Sequence, residues 1–173
     1  MVDSSALLEK IATWTYWNSE FTVISATLLF VYLRRNWAFV RFRNAILATN
    51  LLGLVGYVAL PTAPPRMFPS YGFFDPLTTH ESSIVQLAAN PYAAMPSLHA
   101  ADALIVGVSM FLVCRRLWAK AFWALWPAWV WFTVMATANH WWLDVCGGIF
   151  VGLVGLAVAF GRDHRVGVAE AAA

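Results

Sequence analysis

Long apolar runs broken by short polar or basic stretches dominate this chain, and their lengths predict helices that cross a membrane. Residues 1–13 read as an amphipathic lead-in at the interface, with Ala6, Leu7, Leu8 and Ile11 on its apolar face. A first span covers 14–33, with Trp14 and Trp17 as aromatic anchors. Glu20 falls in its outer part and reads as a carboxylate snorkelling to the interface; the alternative is the polar wall of a pocket. Arg34, Arg35, Arg41 and Arg43 crowd the connection to a second span, 45–60. Pro61 opens a long proline-rich loop, 61–96, in which 81–89 predicts one short helix. The aromatics Phe68, Tyr71, Phe73 and Phe74 predict that this loop packs down. A third span, 96–114, stops at Arg115, Arg116 and Lys120. The fourth, 122–138, holds Pro127, which predicts a kink. Its tryptophans Trp123, Trp126, Trp129 and Trp131 read as packing and lipid contact. The fifth, 141–160, carries Gly147, Gly148, Gly152 and Gly155 at a spacing that lets helices approach closely. A short mobile tail follows from Gly161.

Composition sharpens this picture. The chain of 173 residues is 61% hydrophobic and 12% charged, with a mean hydropathy of +0.65; a soluble domain carries about 25% charged residues. The fold class expected is all-α, a polytopic membrane bundle of about five transmembrane helices with a long extracytoplasmic loop. It forms one domain, 1–173, with a catalytic core at about 45–160 and a cytoplasmic tail at 161–173. Asp3 and Glu9 precede Lys10, so the start lacks a signal peptide's basic region and the first segment is expected to be retained. Basic residues crowd the connections 1–2 and 3–4 and the tail, whereas Lys10 and Arg66 stand alone on the other face. The positive-inside rule then sets the N-terminus outside, the C-terminus in the cytoplasm and the long loop outside. Cys114 and Cys146 lie toward opposite faces, and no Cys/His spacing supports a disulfide or a zinc site.

The chemistry gathers at two turns of that outer face. In Asn90-Pro91-Tyr92-Ala93-Ala94-Met95-Pro96-Ser97-Leu98-His99, Pro96 suits a first helical position. The N–H groups of Ser97, Leu98 and His99 would then be unsatisfied donors able to bind an anion. The second turn, Asn139-His140-Trp141-Trp142-Leu143-Asp144, sets His140 four residues from Asp144, on one face if helical. There the carboxylate can fix the tautomer and leave one imidazole nitrogen as base or nucleophile. Asp102, one turn after His99, either acts on that imidazole by proximity or bonds to loop residues.

Pro96-Ser97-Leu98-His99 and His140-x-x-x-Asp144 resemble the second and third motifs of the type 2 phosphatidic acid phosphatase superfamily. Pro61-Thr62-Ala63-Pro64-Pro65-Arg66 resembles its first motif as found in the inositol phosphorylceramide synthase-like branch. The resemblance covers about 45–160. It implies that His140 attacks phosphorus to form a phosphohistidine, that Asp144 orients it, and that His99 protonates the leaving group. It also implies that Ser97 and Arg66 bind phosphate oxygens; Leu98, Asn139 and Asp102 join the substrate-binding set. Ala59, Leu98, Thr133 and Val134 stand where the phosphatase pattern has lysine, glycine, serine and arginine. Two phosphate-binding cations are thus missing, which favours a diester substrate or phosphotransfer.

The reading is an integral-membrane lipid phosphotransferase or phosphatase acting at the outer membrane face on a phospholipid or lipid phosphate. Its partners are the bilayer and its lipid substrate, with no nucleic acid, no cofactor and no metal. Alternatives are a plain lipid-phosphate or isoprenoid (pyro)phosphate phosphatase, a non-catalytic headgroup-binding membrane protein, and a metal site on His99, His140 and Asp144.

Overall fold

A computed structural model describes residues 6–73, 90 and 92–171. Within them lie six helices: α1 (Ala6–Glu20), α2 (Thr22–Arg34), α3 (Asn36–Ala59), α4 (Leu98–Val113), α5 (Leu117–Ala136) and α6 (Trp142–Ala171). Two 3-10 turns, Pro65–Met67 and Pro69–Tyr71, follow α3. The described residues hold no strand, only an isolated parallel bridge between Thr62 and Ala93.

Helix α4 is the axis of the bundle and touches all five others. Eleven of its sixteen residues are buried, and Ala100, Ala101, Ala103 and Gly107 keep its surface low enough for neighbours to close in. Gly107 receives the Pro127 ring of α5, so the proline inside that helix seats against α4. Away from the site, Ile105, Val106 and Met110 pack with Val31 and Phe42. Nearer the site, Ala100 and Ala103 meet Val130, Val134 and Val145. The outside of the bundle is apolar: Val58, Leu117, Leu125, Phe150 and Leu54 are all well exposed. So wide an apolar surface is foreign to a soluble monomer. Helix α3 and the segment Trp142–Gly161 are each long and apolar enough to cross a membrane; α2 and α4 are apolar but shorter.

The boundaries depart from the sequence expectation in several places. The span expected at 14–33 is divided at Phe21, and the described part of the lead-in, 6–13, is the start of α1. The break lets α1 pack on α4 and α5 while α2 packs on α3. Helix α3 begins at Asn36, with Arg41 and Arg43 inside it, because Ala38, Phe42, Ala45, Thr49 and Gly53 form one buried stripe at helical spacing. The arginines lie on aromatic faces, Arg41 over Phe160 and Arg43 over Phe39. Arg35 donates from Nε to the Val113 carbonyl at 3.3 Å, closing the C-terminus of α4. Helix α6 continues past 160 to Ala171: Arg162, Asp163, His164 and Arg165 end an apolar span without breaking a helix. The short helix expected at 81–89 lies outside the described residues.

Candidate active site

The stretch after α3 ties the two chemical turns together. Thr62 donates its N–H to the Tyr92 carbonyl at 2.9 Å and accepts from the Ala94 N–H at 3.2 Å. Four residues on, the Arg66 N–H donates to the Ala138 carbonyl at 2.9 Å, and its guanidinium donates to Asn139 Oδ1. Trp141 Nε1 reaches the Ala63 carbonyl at 3.0 Å, and Phe68 and Phe73 lean on the Trp141 ring. Phe68 and Phe73 thus gather beside the third motif, whereas Tyr71, expected to pack down with them, is 78% exposed. Phe74 lies outside the described residues.

The turn carrying His140 is shaped by the end of α5. The N–H of Ala138 returns to the Met135 carbonyl and that of Asn139 to the Val134 carbonyl, the two bonds of a Schellman motif. Ala138 takes the left-handed conformation there, φ 56°, where glycine is usual. His140 therefore precedes α6, and the expected sharing of a helix face with Asp144 does not occur. Asp144 lies in the first turn of α6 and reaches back to the Trp141 N–H at 2.8 Å, half of a capping box. Its Oδ2 stands 3.7 Å from His140 Nδ1. The shorter contact of Nδ1 is with the Ala94 carbonyl at 2.9 Å. A carbonyl only accepts, so Nδ1 carries the proton and Nε2 keeps its lone pair.

His99 sits in the first turn of α4, its ring centre 5.9 Å from that of His140. Its Nε2 faces Glu20 Oε2 at 3.2 Å, both side chains largely buried. Tyr16, one turn before Glu20, stacks on the imidazole at 4.5 Å and 11°. The Glu20 carboxylate therefore faces the His99 imidazole. The sequence marked this residue without pointing to that partner, because only tertiary packing brings α1 to α4.

The remaining candidates divide by what they touch. Ser97 caps α4: its Oγ accepts from the Ala100 N–H at 3.3 Å, and it is fully buried. Pro96 thus stands before the cap and not at the first helical position. The Ser97 N–H, expected to await an anion, donates to the Asp144 carbonyl at 2.9 Å and ties the starts of α4 and α6 together. Leu98 is buried against Gly53, whose missing Cβ makes room for a side chain where the family pattern has glycine. A Cβ on Gly56 would strike the Pro96 ring, and one on Gly148 the Ser97 carbonyl oxygen. The Pro96-Ser97-Leu98 turn therefore rests in a cradle of three glycines. Among the described residues, Asp102 is bonded by Asn50 of α3, which donates to both its oxygens at 3.1 and 3.2 Å. At 1% exposure it braces α3 on α4. Asn139, also 1% exposed, donates to Thr137 through Nδ2 and accepts from Arg66 through Oδ1. Among the described residues, no group of three or more His, Cys, Asp or Glu side chains converges to hold a metal ion.

The helical bundle closes on a pair of histidines, each beside a carboxylate, with an arginine held against the His140 turn. A family model described as the PAP2 superfamily matches residues 1–158, and the chain belongs to that superfamily. It is 30% identical over 145 residues to the phosphoinositol dihydroceramide synthase of Bacteroides thetaiotaomicron. That match covers 74% of this chain and 48% of the relative, so the chain spans about half that protein's length. In fold it is similar to the crystal structure of Aquifex aeolicus LpxE, with a TM-score of 0.69 over 91% of this chain and 87% of the other, at 16% identity. The family match takes in α1 and α2, which lie before the stretch that the motifs marked.

Proposed function

We propose that this chain is an integral-membrane lipid phosphotransferase in which His140 accepts a phosphodiester group and an acceptor hydroxyl takes it away. The observation that carries the reading is the bond from His140 Nδ1 to the Ala94 carbonyl. It commits the ring proton to Nδ1 and leaves Nε2 as a nucleophile beside a second imidazole. In the first step Nε2 bonds to phosphorus, the bond to the leaving oxygen breaks, and His99 gives that oxygen a proton. In the second, the acceptor hydroxyl gives its proton to His99, its oxygen bonds to phosphorus and the P–N bond breaks. Arg66, held by Asn139, supports charge on the non-bridging oxygens. Asp144, 3.7 Å from Nδ1, supports the positive ring that forms during attack.

Transfer is favoured over hydrolysis for two reasons. Thr133 and Val134, at the positions of the family's Ser-Arg pair, are fully buried and carry no charge, which matches a singly charged diester better than a doubly charged monoester. The Bacteroides relative is named for joining phosphoinositol to dihydroceramide, so an inositol phospholipid donor and a ceramide-type acceptor are the lipids to offer first. Five crossings carry the chain through the bilayer, with α1 and α2 together making the first. The excess of Arg and Lys near the α2–α3 and α4–α5 connections supports an outer-side site for the histidines.

Two experiments test this. Purified protein given an inositol phospholipid and a ceramide should release diacylglycerol and form a new phosphodiester, with or without EDTA. Release of free phosphate or inositol phosphate, whatever acceptor is offered, makes it a phosphatase or phospholipase. In a Cys114→Ser, Cys146→Ser background, Ser70→Cys should react with an impermeant thiol reagent added outside and Asn36→Cys should not. The reverse pattern puts the site on the cytoplasmic face.

A further inference from the structure

We infer that Glu20 is the positioning residue of His99, so that the first helix of the chain completes the proton-transfer half of the site; the inference rests on the phosphotransfer reading above. Three observations point there. Glu20 Oε2 lies 3.2 Å from His99 Nε2, with the carboxylate side chain 22% exposed and the imidazole 13% exposed. Tyr16 covers the face of the same ring at 4.5 Å, so one turn of α1 grips the imidazole by its edge and by its face. That turn is itself braced: Thr15 Oγ1 accepts from Trp129 Nε1 of α5 at 3.2 Å.

An imidazole nitrogen and a carboxylate oxygen at this separation hold a proton between them, since two bare lone pairs would repel. Glu20 therefore fixes the orientation and the tautomer of His99. In each turnover His99 passes through its doubly protonated form. That charge arises inside a packed bundle, where a neighbouring carboxylate counts for more than it does in water. The other titratable groups at the imidazole are Tyr16, stacked on it, and His140; Tyr57 and Asp102 lie on the Glu20 side. His140 is committed to the Ala94 carbonyl and Asp102 to Asn50. Glu20 makes and breaks no covalent bond; it serves the proton that moves between His99 and the leaving or entering oxygen.

Leaving-group dependence provides the test. Glu20→Gln should lower kcat on an alkyl phosphodiester about 10²-fold, the scale of acid–base assistance. Labelling of His140 by a nitrophenyl ester, whose leaving group needs no proton, should change only a few-fold. Glu20→Asp should recover part of the alkyl rate. Equal losses on both esters, with Tm unchanged, would overturn the inference, and so would no loss on either. The dyad is also read without turnover: the ¹⁵N signals of His99 should move in Glu20→Gln, and unchanged signals would count against it. Wild-type protein that labels from no ester at all refutes the phosphotransfer reading, while the ¹⁵N comparison still judges the dyad.

Discussion

The two histidine–carboxylate pairs lie side by side and are built in different ways. His140 and Asp144 come from one turn of chain, and their 3.7 Å separation is set by the capping box that starts α6. His99 and Glu20 come from α4 and α1 and meet at 3.2 Å only because the helices pack. The local pair has a second holder, the Ala94 carbonyl, brought in by the Thr62–Ala93 bridge. The long-range pair has Tyr16 stacked on its ring instead. The spacing of His140 and Asp144 is thus local, while the tautomer of His140 rests on a carbonyl 46 residues away. The proposed acid, His99, depends on the docking of α1.

The largest effect that sharpens this contrast is expected from Asp144→Asn. The amide oxygen keeps the bond to the Trp141 N–H, so Tm should hold, while the loss of charge beside His140 should lower kcat about 10²-fold. A fall in Tm matching the fall in activity would make Asp144 a cap and nothing more. Next comes Asn139→Ala, which removes one holder of the Arg66 guanidinium. A charged hydrogen bond contributes about 1.5–3 kcal/mol, so KM for the lipid should rise about 10-fold or more with kcat less affected. An unchanged KM would show that the other contacts of the arginine hold it without Asn139.

The cradle beneath the second motif is tested by Gly148→Ala. Its methyl group would meet the Ser97 carbonyl and push apart the starts of α4 and α6. Overpacking of this kind costs about 1–3 kcal/mol, read as a lower Tm in detergent. The smallest effect belongs to Ala138→Gly. It relieves the left-handed backbone before His140, worth about 1–2 kcal/mol, against the greater freedom glycine gains in the unfolded chain. A net rise in stability of about 1 kcal/mol or less is expected, and a fall would mean that the alanine methyl packs usefully.

What could be read from the sequence follows the same division between local and distant. The apolar runs announced the helices, and the motifs placed His99, His140, Asp144 and Arg66 in one neighbourhood, because their spacing is a property of short chain segments. The break at Phe21 and the reach of α3 back to Asn36 were not legible: no proline or glycine marks the first, and arginines on aromatic faces hide the second. The bonds of Ser97 to Ala100 and of Asn139 to Thr137 and Arg66 were not legible, because a motif does not say which atoms its own chain will consume. Asp102 was drawn into the site by its nearness to His99 in sequence, yet its partner, Asn50, is on another helix. Glu20 was hardest, since nothing local to residues 14–33 refers to α4. Gly53 was the missed signal for Leu98: a glycine in α3 paired with a bulky residue where the family has a small one.

The central claim is that His140 bonds to phosphorus while His99 moves the proton, and covalent labelling tests it most directly. Wild-type protein incubated briefly with a ³²P nitrophenyl phosphate ester should acquire an acid-labile, base-stable label on a peptide containing His140. His99→Ala should still label, more slowly, because a good leaving group departs without an acid. His140→Ala should not label at all. A label that survives in His140→Ala, or one that maps to His99, would contradict the account.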